Sequence, residues 1–134
     1  MKRLFLTMII GLLSLTGMAK GNADDYVEVL YFHGKQRCVT CIAIEKQTKA
    51  VIAENFAAQQ KSGKVRYKEV DISTPEGKKL ATKYKVSWSS LFVTKHKNGK
   101  TTKHDLTQFG FKYARKNDAA FKKGLKARIT KELK

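Results

Sequence analysis

Acidic residues are scarce in this chain: 11 Asp and Glu stand against 28 Lys and Arg, for a formal net charge of +17. Such an excess favours anionic partners, whether envelope surfaces, nucleic acid or acidic proteins. Arginine stripes interleaved with aromatics are missing, and lysines are spread through every segment, so a nucleic-acid partner is not expected. A solvated basic surface, or attraction to an anionic envelope surface, remains. Proline occurs once, at Pro75, and cysteine twice, at Cys38 and Cys41. Two cysteines with no second pair make an incomplete zinc site. Apolar runs of spanning length are also missing, since Leu4 to Leu15 falls short of the roughly 20 residues that a membrane-crossing helix needs. There is no internal repeat and no low-complexity tract, and the length suits one domain.

What is present at the start is a leader pattern. Met1-Lys2-Arg3 is a positive patch, Leu4 to Leu15 an uncharged apolar stretch, and Gly17-Met18-Ala19 or Gly21-Asn22-Ala23 a small-residue cleavage site. The expectation is a signal peptide over residues 1–23, cut after Ala19 or Ala23, with one domain over 24–134 exported to the periplasm or the extracellular space. An uncleaved anchor is the alternative that the short apolar run disfavours. The absence of a cysteine near the cut argues against a lipid-anchored lipoprotein. In an oxidising compartment, two cysteines three apart are not inert thiols. A purely structural disulfide there would close a tiny loop and stabilise little. Chemistry is the better reason for it.

Tyr26 to Phe32 is a β-branched and aromatic run that reads as a buried strand. Cys38-Val39-Thr40-Cys41 follows, opening a helix over Cys38–Gln59 in which Cys41, Ile44, Thr48, Val51, Ile52 and Asn55 recur at helical spacing. A helix N-terminus offers a dipole and unpaired N–H groups that stabilise a thiolate on Cys38. Val65 to Ile72 alternates as a half-buried strand. Ser73 is the expected cap of a helix over Pro75–Tyr84, with Glu76 closing a capping box. Ser90 to Lys95 reads as a strand, and Asn98-Gly99 as a tight hairpin turn into a strand over Thr101–Leu106. Thr107 to Tyr113 reads as a loop. A final helix over Asp118–Leu133 carries Ala120, Phe121, Leu125, Ile129 and Leu133 on one face. The order is β-α-β-α-β-β-α, an α/β domain with a central mixed sheet flanked by helices. Strands separated by helices are expected to pair in parallel, with the hairpin adding an antiparallel edge.

With C-x-x-C at the first strand–helix junction, this order resembles the thioredoxin-like superfamily over nearly all of residues 25–134. Asp71, the Ala81–Val86 stretch and Lys97-Asn98-Gly99-Lys100 look like further counterparts. Tyr31-Phe32-His33-Gly34 before Arg37-Cys38-Val39-Thr40-Cys41 is similar to an exported thioredoxin-like group labelled as a nitrophenyl compound nitroreductase subunit family. Nothing in the residues suggests a flavin or nicotinamide site.

The resemblance implies thiol–disulfide exchange with a protein or small-molecule substrate and a redox partner, and with no cofactor beyond a redox-active disulfide. Cys38 is the attacking thiol and Cys41 the resolving one. Lys35 and Arg37 add positive potential expected to depress the Cys38 pKa. The residues depart from thioredoxin at three places. Val39-Thr40 separates the cysteines, Ser89-Ser90 fills the place of a cis-proline, and Tyr31 and Phe32 stand where a buried aspartate is expected. A trans peptide or an altered loop is therefore expected at Ser89-Ser90. His33 is a candidate proton relay, or a loop histidine bonded to backbone. Trp88 is a candidate substrate contact, or a ring packed over its loop. His96 and His104 read as surface residues. Without the shielding proline, the rival reading is soft-metal binding, of Cu(I), Zn(II) or trivalent arsenic, by Cys38, Cys41 and His33. A non-catalytic basic binding module is a third.

Overall fold

Period-two alternation along the first strand sorts its side chains onto two faces of a sheet. In β1 (Tyr26–His33), Val27, Val29 and Tyr31 point into one buried cluster, and Leu30 and Phe32 into another. A strand buried on both faces belongs at the centre, with helices covering each side. The computed structural model describes residues 25–134, so the leader expected over 1–23 lies outside the described residues. Its other elements are α1 (Val39–Asn55), α2 (Ala57–Lys61), β2 (Val65–Asp71), α3 (Pro75–Tyr84), β3 (Ser90–Lys97), β4 (Lys100–Asp105), α4 (Thr107–Tyr113) and α5 (Asp118–Glu132).

The four strands form one mixed sheet in the order β2-β1-β3-β4. β2 lies parallel to β1, with Val27 opposite Val65 and His33 opposite Asp71. β3 runs antiparallel to β1, Phe32 facing Ser90, where parallel pairing was expected across an intervening helix. The reason is length. α3 has ten residues, about 15 Å of helix, too short to return the chain along β2, whose seven residues span about 23 Å. Lys85 then turns in the left-handed region at φ 56° and ψ 42°, and β3 starts at the same end of the sheet where β2 finished.

The larger core packs α1 and α5 on one face, through Ile44, Val51, Ile52, Phe121, Leu125 and Ile129. The smaller one packs Ala81 and Tyr84 of α3 on the other. Phe56 breaks the helix expected to run on to Gln59. It leaves helical geometry at φ −130° and ψ 23° while its ring stays in the main core. Of the residues read at helical spacing, Cys41, Ile44, Thr48, Val51 and Ile52 are buried and Asn55 is exposed.

At the start of α3 the cap is Thr74, whose Oγ1 accepts the Gly77 N–H at 3.0 Å. Ser73, the expected cap, gives its N–H and its hydroxyl to the Asp71 carboxylate instead, at 2.9 and 2.6 Å. The hairpin turn is as read, with Asn98 and Gly99 at φ 53° and 73°. Thr107–Tyr113, read as a loop, is helix α4. Its Thr107 N–H is held by Asp105 Oδ1 at 2.9 Å, while the Thr107 hydroxyl accepts the Leu91 N–H at 3.1 Å. Among the described residues no helix is long and apolar enough to cross a membrane.

Candidate functional site

Where β1 ends and α1 begins, the chain makes a short loop, Gly34 to Arg37, and then sets Cys38 as the N-cap of α1. Cys38 is exposed, and Cys41, one turn further in, is 5 % exposed. The two form a disulfide with Cα atoms 5.0 Å apart. Cys38 Sγ also accepts the Cys41 N–H at 3.1 Å. That N–H is one of the orphan donors of the helix start, and it favours negative charge on this sulfur.

A groove of about 320 Å³ opens over the disulfide. Ser87, Trp88 and Ser89, from the loop before β3, form one wall, and Phe111 of α4 lies behind them. Gly34, Gln36 and Ile72 complete the rim. Trp88 is 62 % exposed and stacks on Phe111 with ring centroids 5.3 Å apart. Val39 and Ile42, on the first turn of α1, are 63 % and 52 % exposed. Trp88 shares the groove with Cys38, and Val39 and Ile42 lie on the helix turn that Cys38 caps.

The Ser89–Ser90 peptide is trans. Ser89 lines the groove, and Ser90, the first residue of β3, gives its hydroxyl to the Trp88 carbonyl at 3.1 Å. Beneath the disulfide, Tyr31 is fully buried and donates its hydroxyl to the Cys41 carbonyl at 2.8 Å. Burial pushes the Tyr31 phenol above its ordinary value, with a hydrogen bond to Ser89 acting in the opposite direction.

His33 is buried, with Nδ1 2.9 Å from the Gly34 carbonyl and Nε2 3.1 Å from an Arg37 guanidinium nitrogen. A guanidinium only donates, so Nε2 accepts and Nδ1 carries the proton. Both ring nitrogens are thus engaged, Nδ1 with backbone and Nε2 with the Arg37 side chain. Arg37 is ion-paired with Glu45 as well, and Lys35 is exposed in the loop. Glu45 is drawn below the usual carboxylate range. Its burial works upward, but hydrogen bonds from Lys49 and with Glu69, and the Arg37 charge, outweigh it.

Among the described residues no group of three or more His, Cys, Asp or Glu side chains is placed to hold a metal ion, so Cys38, Cys41 and His33 do not assemble as a three-ligand site. His96 and His104, read as surface residues, are half-buried. Their Nε2 atoms turn inward, 3.6 Å from Glu28 and 3.1 Å from Glu132. A further cleft of about 380 Å³ between β2 and α3 carries charges of both signs and no cysteine or histidine.

The architecture is similar to that of a thioredoxin from Thermus thermophilus, with a TM-score of 0.51 at 20 % identity over 80 % of this chain and 76 % of that one. The fold is thioredoxin-like. A malarial protein of solved structure matches 61 % of this thioredoxin-like chain and 82 % of its own, at 23 % identity and a TM-score of 0.43. The sequence matches no protein-family model and none of the curated proteins. The nitrophenyl-compound label therefore finds no support in these comparisons.

Sequence reading had singled out the cysteines, Ser89 and Trp88, and the groove brings these together. It missed Phe111, hidden in a segment read as loop, and the pairing of Arg37 with Glu45. The i,i+4 spacing of Phe109 and Tyr113 was a sign of the helix that carries Phe111.

Proposed function

We propose that this protein carries out thiol–disulfide exchange through Cys38 and Cys41. The observation that carries the reading is the asymmetry of the pair, an exposed N-cap sulfur joined to a buried one inside a groove with an apolar rim. Reduced Cys38, as thiolate, attacks one sulfur of a substrate disulfide and expels the other as a thiolate, forming a mixed disulfide. The Cys41 thiolate then attacks Cys38 Sγ, reforming the protein disulfide and releasing the second substrate sulfur. Two electrons pass to the substrate, whose two sulfurs leave as thiols once they take up two protons. The reverse sequence oxidises a dithiol. The exposed Val39, Ile42 and Trp88 suit a protein substrate that lays apolar residues beside its cysteine. The leader pattern in residues 1–23 supports export to the periplasm or beyond, and the excess of lysine supports contact with an anionic envelope surface.

Insulin reduction by the purified protein tests the reading. Cys38→Ser is expected to abolish activity, and Cys41→Ser to accumulate mixed disulfides. Activity in both variants equal to the parent would sink the proposal.

A further inference from the structure

Arg37 immediately precedes the exposed Cys38, yet its guanidinium is turned back into the protein. One nitrogen is ion-paired with Glu45 Oε2, and another lies 3.1 Å from His33 Nε2. Glu45 rides on α1 with its side chain 14 % exposed, and its other oxygen holds Lys49 at 2.9 Å. Lys49 in turn reaches Glu69 of β2 at 2.5 Å. Charge therefore alternates along a chain from the loop before Cys38 to the edge strand. From β1, Tyr31 and His33 face this chain, and from β2 Tyr67 and Asp71 border it. Lys35, in the loop, is exposed and lies outside the Arg37–Glu45 pair.

We propose that Glu45 is a positioning residue that holds the Arg37 guanidinium in this pair, and so keeps the Cys38–Cys41 couple more reducing than a released Arg37 would make it. This rests on the reading of the pair as a redox site. Reduction exposes a thiolate on Cys38, and a free cation on the adjacent residue stabilises that thiolate. Stabilising the thiolate stabilises the reduced form and raises the potential. A guanidinium neutralised by a mostly buried carboxylate contributes far less, and salt screens such a pair weakly. The single carboxylate of Glu45 thus sets where the Arg37 charge is directed.

The test is the redox equilibrium of the full chain against dithiothreitol and glutathione, with thermal melting alongside. Glu45→Met removes both the charge and the acceptor at similar length. It is expected to shift the equilibrium toward the reduced protein about tenfold, or about 30 mV for a two-electron couple. Arg37→Met alone is expected to shift it by about threefold or less, and Arg37→Met with Glu45→Met to remain equally close to the parent. An equal shift from Glu45→Met in both backgrounds would mean that Glu45 acts by its own charge, and would overturn the proposal. So would no shift at all, or a melting change without one. If Glu45→Met does not fold, Arg37→Met still decides. A tenfold shift toward the oxidised protein would show that Arg37 already serves the thiolate in the parent. The equilibrium reads the disulfide itself, so an inert protein in the insulin assay with a tuned couple defeats the proposed function and leaves this inference standing. A disulfide that resists dithiothreitol defeats both.

Discussion

The Tyr31 hydroxyl donates to the main-chain carbonyl of Cys41 at 2.8 Å, tying the buried end of the disulfide to the central strand. A carboxylate under a dithiol accepts protons, whereas this buried phenol donates its hydrogen to backbone and braces the first turn of α1. Tyr31→Phe keeps the ring and loses the bond, and is expected to cost about 1 kcal/mol. A urea melt reads that loss. Burial also raises the Tyr31 phenol, and likewise Tyr84, above the ordinary 10.0. The folded state thus favours the neutral phenols. Their contribution is complete below pH 10 and is lost as pH rises through the folded values, because the unfolded chain ionises first. The alkaline loss of stability is expected to be shallower in Tyr31→Phe than in the parent, with its onset still set by the remaining buried phenols.

Thr48 makes the opposite case. It sits in α1 at 0 % exposure with its hydroxyl unpartnered. A buried donor with no partner retains its desolvation penalty. Thr48→Val keeps the shape, and the two residues have similar helix propensities. Thr48→Val is expected to stabilise the fold by about 1 kcal/mol, seen as a higher denaturation midpoint at unchanged slope. A lower midpoint would show that the hydroxyl is satisfied.

Signals confined to one short window were legible in the sequence. The β-branched and aromatic run from Tyr26 to Phe32 marked a buried strand, and Asn98-Gly99 marked the turn. Cys38 and Cys41, at a strand–helix junction, marked the site. What stayed hidden depends on contacts between windows. Gly110 argued against a helix, yet a Cβ there would stand 3.2 Å from Ile44, so the glycine serves the approach of α4 to α1. Ser73, the expected cap, is claimed by Asp71, and Thr74 caps the helix in its place. Arg37 and Glu45 are eight residues apart, across a loop and two helical turns, and no local pattern pairs them.

Gly77 carries a close approach of the same kind with less room. A Cβ at this position would lie 1.7 Å from the Asp71 carbonyl oxygen, a backbone atom at the end of β2. Relief requires α3 to move off the strand that supplies its cap. Gly77→Ala is expected to destabilise by about 3 kcal/mol or more, the upper range for overpacking. Gly34→Ala, in the loop before Cys38 with nothing within 4 Å of its Cβ, is expected to change stability by less than about 0.5 kcal/mol. Paired thermal melts check both, and equal melting of the two variants would contradict the packing argument.

The cluster beside the disulfide ties stability to acid pH through Glu45. Burial raises the Glu45 carboxyl, but Lys49, Glu69 and Arg37 outweigh it and leave the folded value below the ordinary 4.5. For a depressed carboxylate, the stabilisation is present above pH 4.5 and is lost as pH falls through the folded value, since the unfolded chain takes up its proton first. Asp71 adds in the same sense through its bonds from the Ser73 hydroxyl and N–H. Stability is therefore expected to fall as the solution is acidified below pH 4.5. Glu45→Met is expected to flatten that limb, and to make the alkaline one shallower as well, because the Glu45 charge helps to raise Tyr31 and Lys49. Lys49→Met removes one of the groups that depress Glu45, so its acid loss should be shallower than the parent's and steeper than that of Glu45→Met. Urea melts at a series of pH values read all three, and an acid limb of the same steepness in the parent and Glu45→Met would show that other carboxylates govern it.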